Sequence, residues 1–150
     1  MFNITVSELI PVLQVAIGPV VLVSGVGLLI LSLTNRLGRV IDRGRSLVRE
    51  LPGVPEQNQE STRQQLTILS RRAILLQRAI VFATICVLFA AVLVITLFFT
   101  AALKIEDAWF IGLLFVGAMG SLIVSLIAFL QELNQSLIAF RLDTGLGEGK

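Results

Sequence analysis

Long stretches without charge alternate with one long arginine-rich stretch along this chain. From Ile10 to Leu33 there is no charged residue, and Gln14 is the one strongly polar side chain. At about 1.5 Å per helical residue these 24 positions reach about 36 Å, enough to cross a bilayer core of about 30 Å. Ala79–Leu103 repeats the pattern over 25 residues, and Ala108–Leu130 forms a third such run. Each predicts a transmembrane helix. The first is too long for the apolar core of a signal peptide, and no basic segment precedes it, so it is expected to stay in the protein.

Between the first two spans the pattern becomes amphipathic instead of stopping. Leu33, Leu37, Val40, Ile41, Gly44, Leu47, Val48 and Leu51 recur at spacings of three and four, with charged residues between them. This predicts a helix running on into water. Pro52-Gly53-Val54-Pro55 ends it, because residues before proline are pushed out of the helical region. Leu66, Leu69, Ala73, Leu76 and Ile80 resume the helical period toward the second span. The expected fold is therefore all-α: a polytopic membrane protein, one domain over 1–150, whose residues 34–78 form a long cytoplasmic helical hairpin. A Gly-rich tail over 143–150 is expected to be flexible.

Small residues punctuate the spans. Gly18 and Pro19 predict a kink near Val15 to Gly18, since proline removes a donor and crowds the preceding turn. Ser24, Gly25 and Gly27 follow, while Gly117, Ser121 and Ser125 recur every four residues in the third span. Such patterns let helix backbones approach closely, with a pore lining as the sharper alternative.

Composition agrees with the pattern: 55% of residues are hydrophobic, 15% are charged, and the mean hydropathy is +0.90. The charge distribution adds orientation. Residues 34–78 hold nine arginines, whereas the turn at residues 104–107 holds only Lys104 and the N-terminal segment has no Lys or Arg. Cytoplasmic loops collect Lys and Arg, so the N-terminus is expected outside and the C-terminus inside, in the inner (plasma) membrane. Asp42 stands three residues from both Arg39 and Arg45, within reach for ion pairs.

The chemistry of catalysis is hard to assemble. His and Tyr are absent, Cys86 is the only cysteine, and no GxGxxG or GxxxxGK pattern occurs. No enzyme activity, metal, cofactor or nucleic-acid partner is expected. A midplane carboxylate of the kind coupled transporters use is also missing.

The run Asn35-Arg36-Leu37-x-Arg39-Val40-Ile41-Asp42-Arg43-x-Arg45, followed by Arg71-Arg72 before the second span, resembles a family of small three-helix bacterial membrane proteins classed as a domain of unknown function. The resemblance extends from about Leu13 to Phe140 and implies a bacterial integral membrane protein of this topology. It implies no activity.

Two functional classes follow. The favoured expectation is a homo-oligomer with ion-channel activity, in which Gly18, Ser24, Gly25, Gly27, Gly117, Ser121 and Ser125 serve helix packing or a pore. The alternative is a non-catalytic interaction subunit whose Arg36, Arg39, Asp42, Arg43, Arg45, Arg71 and Arg72 form a surface for anionic membrane lipids or a protein partner. In the channel reading the same residues form a charged vestibule.

Overall fold

The computed structural model describes the backbone of residues 6–53, 55–103 and 108–143, and the side chains of residues 10–53, 55, 59–103 and 108–135. It is all-α. Helix α1 covers Val6–Glu50, a single 3-10 turn covers Leu51–Gly53, and α2 and α3 cover Glu56–Leu103 and Ala108–Asp143. All three helices are long and apolar enough to cross a membrane. Helix α1 runs unbroken through Pro11 and Pro19, and it ends just before Pro52 and Pro55, which remove two backbone donors within four residues. The expected turn over 104–107 lies outside the described residues, as does the expected tail over 143–150 except for Asp143, which ends α3.

Buried positions follow a seven-residue rhythm in every helix. In α1 they are Val26, Leu33, Val40 and Leu47. In α2 they are Leu76, Ala79, Ala83, Cys86, Ala90 and Leu93, and in α3 Leu114, Ala118, Ser121, Ser125, Ala128 and Glu132. Spacings that alternate three and four keep one narrow seam facing a partner helix, as in coiled-coil packing. The seams of α2 and α3 are built mainly from Ala, Ser and Cys, which let backbones come close.

The chain divides into two compact units, one of Met1–Leu31 and Val81–Val124, the other of Ser32–Ile80 and Ser125–Lys150. In the first, Val26, Ala83, Cys86 and Ala118 form a core that Leu22, Ile30, Val87, Phe89, Met119 and Leu122 enclose. Phe89 lies across Gly117, where an added Cβ would sit 3.4 Å from the ring. The outer surface of this unit is strongly apolar. Leu28 is 70%, Val116 68% and Trp109, at the start of α3, 83% exposed. In water, so large an apolar surface would aggregate; against lipid it costs nothing.

The second unit packs the Arg-rich part of α1 against the first half of α2 and the end of α3. Leu33, Val40, Leu47, Leu76 and Ala79 are buried within it, and Ser125 donates its hydroxyl to the Ala79 carbonyl at 2.7 Å. Further along, Val40, Gly44, Val48, Leu66, Leu69 and Ala73 bound an open groove of about 440 Å³.

Candidate functional site

The charged centre of the second unit forms around a residue that pattern reading passed over. Glu132 is 1% exposed. It occupies the seam of α3, seven residues beyond Ser125 and four beyond Ala128, so the packing rhythm itself carries it inward. An ionised carboxylate there needs compensation, because desolvation of a lone charge costs several kcal/mol or more. Two arginines supply it. Arg36 of α1 donates from Nη1 to Oε2 at 3.3 Å, while Arg72 of α2 donates from Nε at 3.3 Å and Nη2 at 3.0 Å to Oε1. Both carboxylate oxygens are thereby engaged, and three helices are tied at one point. The Arg36 guanidinium also lies 5.3 Å from the centre of the Phe129 ring, within cation–π range.

Arg39 and Arg43 stand three and seven residues beyond Arg36, which puts them on the same face of α1. With Val40, Leu69 and Glu132 they and the two paired arginines bound an open cleft of about 260 Å³. Arg39 and Arg43 are exposed, and among the described residues neither has a carboxylate within ion-pair distance. The cleft therefore carries four guanidinium groups against one carboxylate, a formal excess of three positive charges.

The remaining residues singled out from the sequence lie elsewhere. Arg45, Arg71 and Asp42 are exposed, and Asp42 makes no ion pair among the described residues. Its short side chain sits in water beside Arg39 and Arg45, where such a pairing is worth only a few tenths of a kcal/mol. Arg71 and Arg72 point apart because successive helical residues turn by about 100°. Gly18, Ser24, Gly25 and Gly27 are all exposed. Ser24 bonds back to the Val20 carbonyl at 3.2 Å, and the space beside the three glycines is open to at least 4 Å. Gly25 and Gly27 flank the buried Val26 on either side, so they do not form one strip with each other. Gly18 borders an apolar cavity of about 470 Å³ with Val15, Pro19, Leu22, Leu93 and Met119. In α3, Ser121 bonds the Ala118 carbonyl at 2.9 Å, whereas Ser125 makes the bond to α2 already described. Among the described residues no cluster of His, Cys, Asp or Glu could hold a metal ion.

These features define a class: an all-α protein with three helices capable of spanning a membrane and a buried Arg-Glu-Arg cluster joining them. The sequence matches the family described as Protein of unknown function (DUF2721) over residues 16–142, and the chain belongs to that family. Neither a curated protein nor a solved structure shows significant similarity to it.

Proposed function

We propose that this is a non-catalytic, multi-pass membrane protein whose basic helical arms lie at the cytoplasmic surface and engage anionic lipid there. The charge of residues 34–78 carries the reading: nine arginines against Asp42, Glu50, Glu56 and Glu60, a net +5. Seven of the nine, Arg39, Arg43, Arg45, Arg49, Arg63, Arg71 and Arg78, are exposed. Orientation alone needs only an excess of Lys and Arg near the span ends. Each basic residue near an anionic leaflet adds about 1 kcal/mol of attraction. The arms would thus gather anionic lipid around the protein.

The test uses proteoliposomes with a fluorophore on Gly53→Cys in a Cys86→Ala background. Energy transfer to a labelled phosphatidylglycerol should exceed that to a labelled phosphatidylcholine, and the excess should shrink at high salt. Equal transfer to both lipids would reject the reading.

A second reading is self-association through α1, with ion conduction by the assembly. It is favoured by one observation: only 11% of the apolar window of α1 is buried, against 22% and 28% for α2 and α3. Gly25 is exposed with open space beside it, so a second copy could pack closely there. Cross-linking through Gly25→Cys would report the association, and ion flux into liposomes the conduction. A monomer at all protein-to-lipid ratios, or tight liposomes under voltage, would remove the respective claim.

A further inference from the structure

We propose that the cleft between Arg36, Arg39, Arg43 and Arg72 is a built binding site for one phosphate group, a monoester or diester anion, and that Glu132 is its positioning residue. The inference rests on the preceding reading that the arms lie at the membrane surface, and narrows it from a diffuse basic surface to one place.

Arginines that merely set orientation have no reason to converge. Here four of them, from two helices, border the same cleft, and a buried carboxylate from a third helix fixes two of them from below. Glu132 accepts one donor from Arg36 and two from Arg72, leaving other guanidinium edges of Arg36 along the cleft and holding both side chains against the protein. Arg39 and Arg43 bring two complete guanidinium forks that meet no carboxylate among the described residues. A planar fork with parallel N–H donors matches phosphate oxygens better than a point charge does. The local repulsion from Glu132 is offset by its two partners, so the cleft keeps an excess of three positive charges for an incoming anion.

Size and position agree with a phosphate-bearing head group. The cleft, about 260 Å³, has room for a group much larger than a single water. Glu132 lies two residues past the end of the third apolar run and Arg36 three past the first. At about 1.5 Å per residue these side chains start about 3 to 5 Å beyond the hydrocarbon, with Arg39 and Arg43 about 9 and 15 Å out. That interval contains the layer where lipid phosphates sit. The remaining lining residues, Val40 and Leu69, are apolar.

The experiment is lipid and anion binding by the full chain in mild detergent, without phosphate buffer, read by native mass spectrometry and by titration. The probes are phosphatidylglycerol, phosphatidylcholine, inorganic phosphate and glycerol 3-phosphate. Wild type should hold one phosphatidylglycerol per chain at least about tenfold more tightly than phosphatidylcholine. Arg39→Gln with Arg43→Gln should weaken that binding about tenfold or more, whereas Arg63→Gln with Arg71→Gln, which removes equal charge from exposed positions outside the cleft, should change it no more than about twofold. Arg39→Lys with Arg43→Lys keeps the charge but loses the forks, and should fall between. Saturable binding of inorganic phosphate or glycerol 3-phosphate with the same dependence on Arg39 and Arg43 would support the site with a soluble occupant. Equal losses in the Arg39/Arg43 and Arg63/Arg71 variants would overturn the site while leaving the surface reading intact. No preference for anionic lipid and no anion binding would overturn both. Circular dichroism and retention of the detergent-solubilised peak verify folding; should the Arg39/Arg43 pair fail them, Arg43→Gln alone carries the comparison, with a smaller loss expected and none overturning the site.

Discussion

Replacing Arg72 by Gln should be among the most damaging single changes available outside the apolar seams. Arg72 makes two of the three hydrogen bonds to Glu132, including the shortest at 3.0 Å, and its side chain is 21% exposed. Removing one partner of a buried ion pair costs about 3 to 5 kcal/mol, because the other charge stays behind without compensation. Two features reduce that figure. Arg36 still holds the second carboxylate oxygen, and water reaches the vacated side, so a loss of about 2 to 3 kcal/mol is expected. Arg36→Gln should cost less, about 1 to 2 kcal/mol, since it removes one bond at 3.3 Å and the Phe129 contact from a side chain already 36% exposed. Arg63, exposed and outside the cluster, serves as control and should change stability by no more than about 0.5 kcal/mol. Unfolding in mixed micelles by increasing denaturing detergent gives all three values under one condition. A loss for Arg72→Gln no larger than the control's would refute the claim that a buried charge at Glu132 depends on it. The reverse order for Arg36 and Arg72 would refute the use of burial to rank them.

Three further outcomes are expected from the same assay or its simplest extensions. Ser125→Ala removes the 2.7 Å bond to the Ala79 carbonyl and should cost about 0.5 to 1.5 kcal/mol, the range for hydrogen bonds between membrane helices. At Gly117 an alanine Cβ would just touch Phe89 at 3.4 Å and should be tolerated within about 0.5 kcal/mol, whereas leucine would overpack the contact and cost about 1 to 3 kcal/mol. Gly25→Leu, with open space beside it, should leave the stability of the single chain unchanged within about 0.5 kcal/mol. If copies pack through that face, the same substitution should abolish the oligomer that wild type shows by native mass spectrometry, and an oligomer as abundant as in wild type would exclude it.

The apolar runs made the three helices legible, because a membrane span needs length and hydrophobicity and little else. The amphipathic spacing around Val40 and Leu47 likewise placed the buried side of the α1 arm, since both are buried at seven-residue intervals from Leu33. Arg36 and Arg72 stood out as basic residues, but their convergence did not. It depends on α3, whose charged residue looks by composition like the start of a polar extension: Gln131, Glu132, Asn134 and Gln135 are all hydrophilic. The signal was in the register. Continuing the alternation of three and four from Leu114 through Ser121 and Ser125 arrives at Glu132 and passes by Gln131, which is exposed; its next step, Gln135, is exposed too, so the packed seam ends at Glu132 among the described residues. Conversely, the small residues of α1 suggested a packed surface, yet Gly25 and Gly27 face open space, because a glycine records that close approach is permitted and cannot say which neighbour takes it.

Helix packing within lipid lacks the hydrophobic drive that fixes packing in water, so the alignment of helices along their axes must come from shape and a few directional bonds. The seams of α2 and α3 are rich in similar small residues; Ala79, Ala83 and Ala90 differ little as partners for a helix shifted by one repeat. Two interactions break that degeneracy. The Ser125 hydroxyl finds the Ala79 carbonyl, and seven residues later Glu132 finds Arg72 and Arg36. Shifting α3 by one heptad would bring an uncharged seam residue opposite the arginines and leave Glu132 among apolar ones, a far larger penalty than any gain from Ala-on-Ala packing. The ionic cluster thus contributes more to the uniqueness of the arrangement than to its net stability, since a buried ion pair is often no more stabilising than apolar side chains of similar volume. The same register that satisfies Glu132 aligns Arg36 and Arg72 with Arg39 and Arg43, so the feature that selects one packing also assembles the basic cleft.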